Sequence, residues 1–201
     1  MFKRTFVGLL TTALALTLAS TASADETFGH SGDFSLSWNH GLFASGQDWY
    51  SGTGEIVGSY FVAQHLSLGV GLGLQWFNGS SPNSAGGGNE TFFHVGPRVG
   101  YDIPLGSHVS FWPQIGVDFR FGASSETSSS GLGTTSTSSN TTIFGLSVFA
   151  PILVHPVDGV FVGAGPAFYT DFLNKTSAGG SSTDNTKLTT IALVGTIGAH
   201  F

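Results

Sequence analysis

Twelve acidic residues, six basic ones and seven histidines are the whole charge chemistry of a 201-residue chain. Set inside a regular pattern are Glu55, His94, Arg98, Asp102, the neutral amide Gln114, Asp118 and Arg120. In "ETFFHVGPRVGYDIP" and "FWPQIGVDFRFG" the last six occupy even positions, and the odd ones carry Phe93, Val95, Val99, Tyr101, Phe111, Ile115, Val117, Phe119 and Phe121. Alternation of this kind sends the two sets to opposite faces of a strand. Folding the two stretches about "PLGS" (Pro104 to Ser107) brings His94 near Asp118, Arg98 near Gln114 and Gly100 beside Trp112, within cross-strand reach. Glu55 enters the same space from another strand. The expected result is a packed polar interior in which Glu55, Asp118 and Asp102 neutralise Arg98 and Arg120. The alternative is a narrow ion path lined by the same groups.

Other chemistries find less support. Two H-x-S spacings occur, His65–Ser67 and His108–Ser110, but a nucleophile needs a base in reach and a third group that orients the base. Both pairs fall at short turns with no carboxylate assigned to them, so they read as turn residues. "GHSGD" (Gly29 to Asp33) reads as a linker. The histidines are dispersed and the chain has no cysteine, so no structural zinc pattern exists. "GVGLGLQW" is followed by no helix and is not a phosphate loop. No cofactor and no catalytic residue is expected.

The elements that must position these groups are strands. "LSLGVGLGLQW" puts Leu66, Leu68, Val70, Leu72, Leu74 and Trp76 on one face and small or polar residues on the other. Eight such blocks follow one another: 34–44, 54–62, 66–76, 91–103, 108–122, 142–154, 160–172 and 188–201. In the sixth, either face can be the outer one. Pro97, Pro113, Pro151 and Pro166 interrupt the pattern, since proline cannot donate to a ladder, and bulges are expected around them. A bulge is also expected at Asn39-His40-Gly41, where alternation would otherwise turn His40 outward. The connections alternate long and short. "AQH", "PLGS" and "HPVDG" are short; residues 45–53, 77–90, 123–141 and 173–187 are long. The third long connection, nearly uncharged and rich in serine and threonine, reads as a mobile hydrophilic loop.

Charged residues make up 9% of the chain, against about 25% in a typical soluble domain. A basic start, an apolar run too short to span a bilayer and "ASA" mark residues 1–24 as a signal peptide cleaved between Ala24 and Asp25. Residues 25–201 then form one domain. Its basic residues are Arg98, Arg120, Lys175 and Lys187 against twelve acidic ones, which argues against nucleic acid as a partner.

An even number of alternating segments of about ten residues, with tight turns on one rim and long loops on the other, predicts a closed antiparallel eight-stranded transmembrane β-barrel. Closure follows because an open sheet edge in lipid leaves backbone groups unpaired. Aromatic residues near strand ends (Trp49, Tyr50, Tyr60, Phe61, Trp76, Phe77, Phe92, Tyr101, Phe111, Phe172) are expected to form two interfacial girdles. "GSYFVAQHLSLGVGLG", "VGPRVGYDIP" and "GTIGAHF" resemble the second hairpin, the fourth strand and the terminal assembly signal of the small OmpA-like and OmpX-like outer-membrane barrels of Gram-negative bacteria. Ala199 departs from the bulkier residue usual in that signal, and Gln64-His65 from the usual turn. The resemblance implies both termini in the periplasm, outer-membrane lipids around the wall, and barrel-assembly machinery that reads Gly195, Ile197 and Phe201. It implies a non-enzymatic structural or surface protein with an extracellular ligand at its loops. A small-solute pore is the alternative, and a lipid-modifying enzyme comes third.

Overall fold

The computed structural model describes residues 28–44, 54–80, 87–130 and 133–201. The cleavage site Ala24–Asp25, and Trp49 and Tyr50, lie outside these residues, and the side chains of Trp76 and Phe77 lie outside the description as well. There is no helix among the described residues. The strands are β1 (Phe34–Ala44), β2 (Glu55–Ala63), β3 (Leu66–Ser80), β4 (Gly87–Tyr101), β5 (Ile103–Gly106), β6 (Val109–Phe111), β7 (Gln114–Ser130), β8 (Gly133–Phe149), β9 (Ile152–Val157), β10 (Val160–Ala178), β11 (Ser181–Asp184) and β12 (Thr189–His200). All pairings are antiparallel. β1, β2, β3, β4, β7, β8, β10 and β12 follow one another around a ring, which closes where β12 pairs with β1. β5, β6 and β9 continue this wall at the end with short turns. Phe34 and Phe201 complete the seam: Phe34 N donates to Phe201 O at 3.0 Å and Phe201 N to Phe34 O at 2.8 Å.

Period-two alternation sorts the side chains as it must in a closed sheet. Leu36, Trp38, Ile56, Tyr60, Leu68, Leu72, Leu74, Phe93, Tyr101, Ile115, Phe121, Phe172 and Ile191 stand exposed on the outer wall. Ser35, Ser37, Asn39, Ser59, Ser67 and Gln75 are buried on the inner one. An apolar outside around a polar inside is the reverse of a soluble barrel, and a wall of this kind belongs in lipid. In β8 the odd positions point inward: Ile143, Ser147 and Phe149 are buried, and Phe144, Leu146 and Val148 face out.

Several expectations are corrected. Phe61 is fully buried and Phe92 is half-buried against the inner cluster of Phe149, Ala167, Ala192 and Val194, so neither joins a girdle. The bulge in β1 lies between Gly41 and Phe43, beyond the Asn39-His40-Gly41 site. His40 keeps its outward phase and packs on Trp38, with ring centroids 5.5 Å apart. The serine-rich third connection is largely strand: β7 and β8 pair rung by rung from Gln114↔Phe149 to Ser130↔Gly133. Seryl and threonyl side chains favour loops by composition, but the barrel rungs below hold this segment in register, and threonine suits a ladder. The fourth connection folds likewise into the β10–β11 hairpin.

The prolines sit where donors are not needed. Pro97 faces outward, and the β4–β7 register continues unshifted from Val95↔Phe119 to Arg98↔Gly116 across it, without the bulge expected there. The breaks between β4 and β5, β6 and β7, and β8 and β9 lie side by side. Tyr101 N donates to Pro113 O, Trp112 N to Pro151 O and Ala150 N to Pro166 O, each at 3.0 Å. Each proline thus contributes its carbonyl and is spared its missing N–H.

Candidate functional site: a filled lumen and its two ends

The centre of the lumen holds an ionic network. Glu55, at the start of β2, receives both guanidinium nitrogens of Arg98: Nη1 donates to Oε2 at 3.0 Å and Nη2 donates to Oε1. Asn39 Nδ2 donates to the same Oε2 at 3.3 Å. His94 sits between the two carboxylates, with Nδ1 3.4 Å from Glu55 Oε1 and Nε2 2.5 Å from Asp118 Oδ1. Arg98 Nη2 lies 4.0 Å from that same Asp118 oxygen. All four groups are buried. A bidentate arginine–carboxylate fork is among the strongest side-chain pairings, and its planar geometry fixes both partners.

Glycine on the facing strands makes the room. A Cβ on Gly71 would meet Glu55 Oε1 and stand 2.5 Å from Arg98 Nη2, and one on Gly96 would meet Asp118 Oδ1. The inward glycines of "LSLGVGLGLQW" and "VGPRVG" therefore mark occupied space, not an open channel. Glu55, His94 and Asp118 could together hold a metal by spacing. The Arg98 guanidinium already occupies the carboxylate pair, so the group reads as an internal ion network.

The other inner residues named from sequence flank or lie beyond this centre, with Arg120 directly opposite His94 across the β4–β7 pair. Arg120 places its guanidinium carbon 3.8 Å above the Tyr169 ring. Gln114 is buried opposite Gly100, and Arg98 pairs with Gly116, not Gln114. The expected register is off by two because the hairpin turns at Ser107 and His108, later than Pro104–Ser107. Asp102 does not reach the arginines. It is buried at the short-turn end, its Oδ2 3.6 Å from His65 Nδ1, with Ser110 beside it. Gly195 and Ile197 lie on β12 beside His40 and Trp38.

Both ends contain residues that sequence reasoning missed. At the short-turn end Phe28 inserts into the mouth, its ring 5.0–5.2 Å from those of Phe61, Trp112, Phe161, His155 and His200. The "GHSGD" segment straps it down: Gly29 O accepts from His65 N at 2.7 Å, and Gly32 N donates to Phe61 O at 2.8 Å. It is a seal as well as a linker. A lone phenylalanine outside any alternating block carries no sequence signal for this. At the opposite end Tyr169 and Asp171 are buried on β10, and Asp171 Oδ2 accepts from Leu188 N at 3.2 Å. Their inward parity along β10 was the available signal.

No protein-family model and no curated protein matches the chain. Among solved structures, a major outer membrane protein from Thermus thermophilus matches with a TM-score of 0.61 at 14% identity, covering 86% of this chain and 100% of that one. Neisserial surface protein A matches at 17% identity with a TM-score of 0.49, covering 90% and 100% of the two chains. Ail, the attachment invasion locus protein of Yersinia pestis, matches at 12% identity with a TM-score of 0.48, covering 85% and 99%. At 14% identity the likeness to the Thermus protein is one of fold. It agrees with the ring closure and the apolar wall in the architecture it assigns: the chain folds as a small outer-membrane β-barrel.

Proposed function

We propose that the protein resides in a bacterial outer membrane as a non-enzymatic surface barrel that presents its long hairpins to an extracellular partner. In this reading the short turns and both termini face the periplasm, lipid surrounds the apolar wall, and assembly machinery recognises Gly195, Ile197 and Phe201. The observation that carries the proposal is the β7–β8 ribbon. β4 accompanies it only as far as Gly88↔Glu126 and β10 as far as Ser177↔Asn140, whereas the ribbon continues to Ser130↔Gly133. Beyond the ring its sequence is rich in serine and threonine, with Glu126 as its one charge. Such a composition suits a polar, uncharged partner bound through hydroxyl groups.

The interior supports display over transport. A narrow eight-stranded lumen is filled by its own side chains, and here the Arg98–Glu55 fork and the Phe28 cluster lie across it. Replacing 127–136 with an Asn-Gly turn tests the proposal. The shortened barrel is expected to fold and insert as before while cells carrying it lose attachment to surfaces or other cells. Unchanged attachment would remove the ribbon from the function.

A further inference from the structure

The short-turn mouth holds a second polar group that the lumen network does not use. His65 lies in the tight turn between β2 and β3 with φ +66°, and its backbone is held from both sides. Its N–H donates to Gly29 O at 2.7 Å, and its carbonyl accepts from Asp102 N at 2.8 Å. The two side chains therefore face each other across a fixed backbone. Asp102 is 1% exposed with the Ser110 hydroxyl and the His65 imidazole beside its carboxylate, and no hydrogen bond of normal geometry reaches either oxygen or His65 Nδ1. A buried carboxylate left in this state is costly unless a cation compensates it. No arginine or lysine of 25–201 does so: Arg98 is committed to Glu55, Arg120 lies over Tyr169, and Lys175 and Lys187 sit on or beside the long fourth hairpin, which leaves the His65 imidazole and whatever the pair binds.

We propose that His65 Nδ1 and Asp102 Oδ2 are two ligands of a divalent transition-metal site of the zinc class at the mouth of the barrel. Their separation of 3.6 Å is too long for a hydrogen bond. It is close to the edge of roughly 3.4 Å that Zn–N and Zn–O bonds of about 2.1 Å give at a tetrahedral angle. Gly29 keeps the approach clear, since a Cβ there would stand 3.2 Å from Asp102 Oδ2 and 3.3 Å from His65 Nδ1. Behind the carboxylate lies Ser110, whose Oγ is 3.1 Å from His155 Nε2. That is the kind of outer contact that orients a ligating carboxylate. Water from the mouth completes the coordination, entering past His65, whose side chain is 19% exposed. One imidazole and one carboxylate suit zinc better than calcium or magnesium, which take oxygen ligands. The site does not depend on what the hairpins bind.

The test uses the refolded full mature chain in detergent, stripped with a chelator and titrated with Zn²⁺. One equivalent is expected to bind and to raise the thermal midpoint. Asp102→Asn and His65→Gln are each expected to weaken binding at least tenfold. Without metal, Asp102→Asn should be no less stable than the parent, because an amide in that place carries no charge to desolvate. A His200→Gln variant, checked for folding by circular dichroism, should keep binding within a few-fold. The proposal is overturned if the parent shows no saturable binding, if Asp102→Asn binds as tightly as the parent, or if the His200→Gln variant alone abolishes binding.

Discussion

At the scale of single residues, the lumen depends on partners that cannot be removed one at a time. Arg98 is buried and holds Glu55 through both of its terminal nitrogens. Glu55→Leu leaves that guanidinium without its fork, a change that costs about 3–5 kcal/mol when a buried pair loses one member. Urea unfolding in lipid vesicles should show the loss. Combining it with Arg98→Met should recover much of it, because two apolar groups of similar volume need no partner. Gly71 makes the complementary point. Its missing side chain is the space that Glu55 and Arg98 occupy. Gly71→Ala is expected to destabilise the barrel by about 1–3 kcal/mol, the usual cost of overpacking, in the same unfolding assay.

At the scale of elements, turn chemistry decides how far the ladders run. β10 and β11 meet at Ala178↔Ser181 across Gly179 and Gly180, with φ +57° and +84°. Two successive positive angles are the requirement of a two-residue type I′ hairpin turn and favour glycine there. Replacing both by alanine is expected to cost roughly 1–2 kcal/mol per residue and to speed amide hydrogen exchange in Ser181–Asp184, with β12 unaffected. The prolines belong to the same scale. Pro113, Pro151 and Pro166 each accept one of three bonds across neighbouring breaks, so the breaks form one aligned feature across three strands.

At the scale of the whole molecule, the lumen is obstructed at two levels, and conductance reports on both. The Glu55–His94–Arg98–Asp118 network fills the centre, and Phe28 with Phe61, Trp112, Leu153 and Phe161 fills the short-turn mouth. In planar bilayers the parent barrel is expected to be silent. Phe28→Ala should stay silent while losing about 3–5 kcal/mol of stability from the cavity it leaves. Phe28→Ala combined with Arg98→Ala should give brief openings. Steady conductance steps from the parent would restore the pore reading and turn the inner charges into its lining.

The strands, the inner and outer faces of β4 and β7, and the closed barrel were legible in the order of residues, because alternation and loop length are local signals that a lipid-facing wall enforces at every second residue. That order also marked Glu55, His94, Arg98 and Asp118 as inward. Tertiary structure alone decided which of them meet. A hairpin turn shifted to Ser107–His108 moved Arg98 opposite Gly116, and no propensity encodes such a shift. Ring closure carried paired rungs into a serine-rich segment that composition alone reads as loop. The contacts of Phe28 with five rings and of Asp102 with His65 join residues far apart in sequence. They exist only once the sheet has closed and brought its turns together at one end.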